Sequence, residues 1–480
     1  CVHVHYPNSF SQCACGKDSH KQSYKMLAVS RAKLLFLLIT CILSILVTNG
    51  ASKIAENRQN ESIVLFKEGN ALYSRGDITG AISRYNSALE LNPSFADAHC
   101  NLGSALLDIG DFEGAVESYA SALGVDPAHP DANYNFAMLL QDGGANENAI
   151  YHYKKAVSSN PDHFEAWANL GGLQLEAGDH GGAVESLQEA LELIGFGEQV
   201  PEGMEYLPAT LYFQLGSALS YLNPLRCIEG SCTDHAAEAF RKCLRFDPTH
   251  VQAQHSLQAI LADSSVETAS KDYVKSLFDD YAETFDSSLA NLEYKAPELI
   301  HQKMAKVLKQ SKNKKSFGAV VDAGCGTGLI GSLFSDISES LIGIDLSGKM
   351  LQKAKEKGVY QSLLEGDVVS EMAQLASNGL KADVVIAADV LVYLGNLKDF
   401  FTAASVLLES SSYLAFTTER LEDPSKNWQI LPSGRFAHSK KYVDDLALAL
   451  GLVAVDYSEI VPRMEGGNPI PGQLFVFRKI

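Results

Sequence analysis

Positive charge is scarce in this chain of 480 residues: 39 lysines and arginines stand against 58 aspartates and glutamates, a formal net charge of −19. Binding to a nucleic-acid backbone is driven by basic side chains that displace counterions, so the balance argues against nucleic acid as a partner of the whole molecule. One basic cluster, Lys303, Lys306, Lys309, Lys312, Lys314 and Lys315, runs against the trend. It reads as a solvated helix end and linker, with anionic lipid or RNA as the weaker alternative. Metal-ligand spacing is lacking as well. Nine cysteines are scattered, and the C-x-C of Cys13 and Cys15 has no matching Cys/His pair at zinc spacing, so no metal site is expected. Cys227 and Cys232 read as free thiols, or as a bridge in an oxidising compartment.

Long apolar runs are missing except for "LLFLLITCILSILV", Leu34 to Val47, which covers about three-quarters of a usual membrane span. Arg31 and Lys33 precede it and "TNGAS" follows. With Met26 as initiator this is the basic, apolar and small-residue layout of a leader, so 26–51 is expected to be a signal peptide or signal anchor, with a possible membrane tether at 34–47. Residues 1–25 are then a non-native or disordered extension. The expected location is membrane-associated or entry to the secretory pathway or an organelle, otherwise cytoplasmic.

What the chain has in plenty is self-similarity. Pro93, Pro127 and Pro161 are evenly spaced, 127 − 93 = 161 − 127 = 34. The same step links Gly69, Gly103, Ala137 and Gly171, then Gly76, Gly110, Gly144 and Gly178, then Ala81, Ala115, Ala149 and Ala183. Small residues at Gly69 and Ala81 let two helices of one unit approach closely, Tyr85, Tyr119 and Tyr153 are expected between neighbouring units, and proline follows the second helix. A fifth copy, with Gly216, Ala236, Phe240 and Pro248, keeps register if about eight extra residues enlarge the turn between its helices. These features resemble the tetratricopeptide repeat, which implies a helical solenoid over 60–265. Asn101, Asn135 and Asn169 recur on the helix that lines the concave wall in that family, and a similar asparagine ladder occurs in the repeats of O-linked N-acetylglucosaminyltransferase. An amide both donates to and accepts from an extended peptide backbone, so these three are candidate protein- or peptide-binding residues; a solvated inner face, or bonding within the solenoid, is the alternative.

Beyond Ser265 strands and helices alternate: Val320 to Ala323, Leu341 to Ile344, a short strand before Asp367, Asp383 to Ala387 and Tyr413 to Thr417 read as strands. That order implies a parallel, doubly wound sheet over 270–480 with ligand at the carboxyl ends of its strands. The loop "VVDAGCGTGLIG" after the first strand brings backbone to a cofactor without Cβ interference. Gly326, Gly328 and Gly331 satisfy the dinucleotide pattern G-x-G-x-x-G, yet Asp322 closes the strand and the loop carries no lysine or arginine for a pyrophosphate. An ammonium and a sulfonium suit those carboxylates better, which points to S-adenosylmethionine.

Asp322, Gly324, Gly326 and Gly328 in D-x-G-x-G-x-G resemble motif I of class I methyltransferases. The resemblance implies that Asp345 accepts the ribose hydroxyls, that Asp367 reads the adenine amine, that Leu346 and Val368 sandwich the ring, and that Ala388 and Asp389 face the methionine moiety and the substrate. "FDDYAETFDSSL", with Phe278, Tyr281 and Phe285, looks like the lid helix of methyltransferases fused to tetratricopeptide repeats, and "SGRFAHSKKYVDDLA" and "RMEGGNPIPGQLFVF" resemble the same family. Phe436 stands where that family leads one to expect tyrosine. The implied fold is multidomain, an all-α solenoid followed by an α/β Rossmann-like class I methyltransferase domain with an antiparallel C-terminal strand hairpin.

Transfer from a sulfonium is an in-line displacement, so the protein mainly aligns the reactants in a dry site. Asp389 and His438 are the candidates to bind the acceptor or take its proton, and Arg435 to hold an acceptor carboxylate. The expected function is an S-adenosylmethionine-dependent methyltransferase whose solenoid binds a protein partner or substrate. The alternative is a membrane-tethered repeat scaffold with a cofactor-binding but non-catalytic Rossmann domain; a dehydrogenase comes third.

Overall fold

The computed structural model describes residues 52–197, 200, 203–222, 232–311, 314–465 and 467–480, together with 36, 38–40 and 42. The chain divides into two compact units, one ending at Pro161 and one running from Asp162 to Ile480. In the first, a helix over 52–73 pairs with Ile78–Leu91, Ala96–Asp108 with Phe112–Val125, and Pro130–Asp142 with Asn146–Ser159. The second opens with two more such hairpins, Phe164–Glu176 with His180–Leu193 and Leu207–Tyr221 with Cys232–Phe246, and a last solenoid helix, Val251–Ile260.

The periodic residues explain the hairpins. Gly76, Gly110, Gly144 and Gly178 all take positive φ, between +75° and +81°, and reverse the chain after the first helix. Asp77, Asp111 and Asp179 then cap the second helix by accepting from the backbone amides of Gly80, Gly114 and Gly182 at 2.9, 3.0 and 3.0 Å. A Cβ at Gly69, Gly103 or Gly216 would stand 2.6, 2.7 or 2.7 Å from the rings of Tyr85, Tyr119 and Phe240, so the aromatic ring fills the gap left by glycine inside its own hairpin rather than only the space between units. The fifth copy keeps this pair at a longer separation, 240 − 216 = 24 against 85 − 69 = 16, as the enlarged turn requires. Cys232, expected as a free thiol, is disulfide-bonded; Cys227 lies outside the described residues.

The expected membrane or secretory location is corrected. Among the described residues no helix is long and apolar enough to cross a membrane, and of 34–47 only 36, 38–40 and 42 are described. The leader expected over 26–51 otherwise lies outside the described residues.

Among the described residues the α/β part has eleven strands: β1 (Phe317–Ala323), β2 (Ser338–Asp345), β3 (Ser362–Glu365), β4 (Ala382–Ala387), β5 (Leu408–Arg420), β6 (Trp428–Ile430), β7 (Phe436–His438), β8 (Leu452–Ile460), β9 (Met464–Glu465), β10 (Asn468–Pro469) and β11 (Gly472–Lys479). The main sheet runs β3-β2-β1-β4-β5-β11-β8, with β3 to β5 parallel and β11 antiparallel to both its neighbours; β6 and β7 extend the end of β5, and β9 pairs with β10. Near-continuous apolar strands such as β1 and β4 bury both faces, packing against Ile300 and Met304 on one side and Phe400, Phe401 and Leu407 on the other. Chain order reverses between β1 and β4, which opens a crevice at their carboxyl ends.

Candidate functional site

At that crevice the chain leaves β1 through Gly324, Gly326 and Gly328 at φ +78°, +54° and +84°. A side chain at Gly324 would collide with Val390 and one at Gly328 would meet Tyr360 at 2.9 Å, whereas at Gly326 the nearest atom is a Phe285 ring carbon at 3.7 Å. Bare backbone therefore faces a cavity of about 270 Å³. Gly324, Gly326, Asp345, Leu346, Asp367, Val368, Ala388, Asp389, Phe285 and Arg435 all line it, so most of the expected site residues converge.

Asp345, at the end of β2, is 9% exposed. Its Oδ2 accepts from the Gly326 amide at 2.8 Å and its Oδ1 from the Ser347 amide at 2.9 Å. Burial pushes its pKa up, with these amides opposing. Asp367 caps the helix Val368–Ser377 by accepting from the Ser370 amide at 2.9 Å and stands 3.5 Å from Lys271.

The helices Lys271–Tyr281 and Phe285–Asn291 roof the cavity through Phe278 and Phe285, whose rings meet edge-on at 5.9 Å. Polar ties hold the roof to the rim: Lys275 to Glu365 at 2.7 Å, Ser347 to Asp279 at 2.5 Å, and Thr327 to Asp286 at 2.5 Å. Tyr281 is a correction. It is 49% exposed and does not line the cavity.

Three more expectations change. Asp322 lies beneath the glycine loop rather than on the cavity, fully buried, accepting from the Tyr360 hydroxyl at 2.6 Å with its Oδ1 unpartnered. Burial, with the Asp345 charge adding, pushes its pKa up to about 7. Gly328 serves as the N-cap of the helix Leu329–Phe334 and also lies off the cavity. His438 is fully buried, and its Nε2 faces the carbonyls of Leu394 at 2.8 Å and Gly395 at 3.1 Å, so that nitrogen donates. Its Nδ1 has no partner, and burial pushes the ring's pKa down to about 4. A ring so placed does not line the cavity; it holds the loop after β4.

Around Asp389 the cavity wall is an ion cluster. Asp389 takes φ +55°, with its amide donating to Thr417 Oγ1 at 2.9 Å and its Oδ2 accepting from Arg463 Nη1 at 2.5 Å. Arg463 also donates to Glu419, and to Glu465 at 2.7 Å. Arg435 donates to Glu419 at 3.0 Å and to Glu465, so it is engaged in ion pairs rather than free for an acceptor carboxylate. Sequence reasoning missed Arg463, Glu465, Glu419, Tyr294 and Tyr393. The only sequence signal for the first two was their place inside "RMEGGNPIPGQLFVF".

Asn101 and Asn135 already spend amide protons inside the first unit. Asn101 Nδ2 donates to Asn70 Oδ1 at 2.8 Å and Asn135 Nδ2 to Ser104 Oγ at 3.4 Å, while Asn169, in the second unit, is half-buried.

Family models match four stretches: "TPR repeat" over 69–110, "Tetratricopeptide repeat" over 96–129 and over 134–198, and "Methyltransferase domain" over 321–416. The chain thus carries tetratricopeptide repeats followed by a methyltransferase domain. A curated relative, malonyl-[acyl-carrier protein] O-methyltransferase of Hamiltonella defensa subsp. Acyrthosiphon pisum (strain 5AT), is 29% identical over 119 residues. That match covers 24% of this chain and 44% of the relative, less than half its length. Similar solved structures include MamA, at 21% identity over 40% of this chain and 94% of that one with a TM-score of 0.31. Another is magnesium protoporphyrin IX methyltransferase from Synechocystis PCC 6803 with bound SAM, at 17% identity over 38% and 79% with a TM-score of 0.30.

Proposed function

We propose that this chain is an S-adenosylmethionine-dependent methyltransferase whose solenoid binds a protein partner or substrate. One observation carries the reading: a glycine turn without a basic side chain meets the carboxylates that end β2 and follow β3 on one cavity. The residues fit the cofactor. Gly326 leaves a cradle that a larger side chain would fill, and Asp345 and Asp367 offer the cavity carboxylate oxygens that would accept from a ribose and an adenine amine. Leu346 and Val368 supply apolar walls for the ring, while Gly324 and Ala388 border the methionine end. When bound, the cofactor supplies a methyl group on a sulfonium, an excellent leaving group.

The chain's own residues do the rest. Phe278 and Phe285 exclude water under the roof, and Asp389, fixed by Thr417 and Arg463, orients the acceptor. His438 takes no proton in this scheme. S-adenosylmethionine is expected to raise the melting temperature of the full chain, and to leave Gly326→Arg unmoved, in a thermal-shift titration. An equal shift in both would sink the assignment.

A further inference from the structure

The charges at the acceptor end do not balance. Asp389, Glu419 and Glu465 bring three carboxylates against the two guanidinium groups of Arg435 and Arg463. Arg463, with a side chain 5% exposed, gives Nε, Nη1 and Nη2 each to a different carboxylate. Both arginines meet Glu465 on Oε1, which leaves Oε2 of this cavity-lining residue without a hydrogen bond among the described residues. Burial works against the ionised carboxyl of Glu465, but Arg435 and Arg463 together overcome it and hold its pKa below the ordinary range. One negative charge is left over where the surroundings screen poorly.

A second observation is independent of those charges. Tyr294 and Tyr393 line the same cavity, and neither hydroxyl has a hydrogen-bond partner among the described residues. Tyr393 packs edge-on with Phe278 at 5.5 Å. Aromatic faces beside a surplus carboxylate attract a cation and disfavour an anion.

We infer that the acceptor is a primary amine, brought in as its ammonium ion, and that Glu465 is the residue that selects it. The inference rests on the proposed methyl transfer. The acceptor nitrogen gives one proton to water; its lone pair forms the N–C bond as the C–S bond breaks, and that electron pair stays on sulfur. An acceptor carboxylate would meet Glu465 and Asp389 as like charges.

Small ions of opposite charge and similar size test this without a known substrate. The full chain is saturated with S-adenosylhomocysteine, and n-butylammonium and butyrate are titrated by ligand-observed NMR. Butylammonium is expected to bind about tenfold more tightly than butyrate, and Glu465→Gln to erase most of that preference while Glu465→Asp keeps part of it. Equal binding, a preference for butyrate, binding of neither ion, or a preference unchanged in Glu465→Gln overturns the inference. If Glu465→Gln fails to fold, the wild-type ratio alone decides. S-adenosylhomocysteine binding is measured first by calorimetry, and its failure would instead overturn the methyltransferase reading.

Discussion

Asp322 and His438 are two buried titratable groups whose shifts oppose each other in stability. Asp322, raised to about 7, holds its proton in the folded state over a range where the unfolded chain has lost it, so its contribution falls as pH rises from about 4 to 7. His438, lowered to about 4, stays neutral where the unfolded chain binds a proton, so its contribution rises from about pH 4 to 6.5. Each effect is on the order of 3 kcal/mol, and they largely cancel. Asp322→Asn is therefore expected to uncover a stability that climbs from pH 4 to 6.5 in urea titrations; a profile unchanged from wild type would contradict these assignments. Arg463→Ala removes a buried guanidinium shared by three carboxylates, leaving Asp389 without an ion pair and Glu419 and Glu465 to Arg435 alone, and is expected to cost about 3–5 kcal/mol by the same measurement. The three acids after successive strands were legible in the sequence because strand ends are. The direction each side chain takes was not: Asp322 turns to Tyr360, which approaches from beyond the next strand, and Arg463 reaches Asp389 from across the sheet.

At the scale of elements, a glycine–aromatic pair closes the hairpins of Gly69, Gly103 and Gly216, while Leu187 takes the ring's place against Gly171. In Gly216→Ala the new Cβ meets Phe240 at 2.7 Å, so overpacking of about 1–3 kcal/mol is expected to outweigh a helix-propensity gain of about 1 kcal/mol. Gly124→Ala is the control, since nothing lies within 4 Å there, and it is expected to be neutral or stabilising by up to about 1 kcal/mol. Chemical denaturation of both variants reads the difference; destabilisation by Gly124→Ala as large as by Gly216→Ala would refute the pairing. This element was legible because a repeat prints its packing rule several times over. The roof helices were legible only in part, since Phe278 and Phe285 enter the cavity while Tyr281, on the same stretch, points to solvent.

For the molecule as a whole, the second unit joins solenoid to sheet through a small core that neither half suggests alone. Ala259 and Ala269 pack with Ile430 and Phe436, and His255 Nε2 contacts the Gly434 carbonyl at 2.7 Å while its ring stacks on Tyr273 at 3.9 Å. Phe436, expected as tyrosine, is fully buried in that core, where a hydroxyl would need a partner. A fragment over 248–480 is expected to melt at least about 4 °C above one over 270–480, which opens this core; equal melting would place the domain's edge at 270 after all. These contacts escaped the sequence because they join residues far apart along the chain through shape rather than pattern. The central claim, that the glycine loop and its carboxylates hold S-adenosylmethionine, is tested most directly by calorimetric titration of that cofactor into the full chain, with Gly326→Arg as control and NAD as competitor. Binding is expected at about micromolar Kd or tighter, lost in Gly326→Arg and indifferent to NAD. No binding, or displacement by NAD, would contradict it.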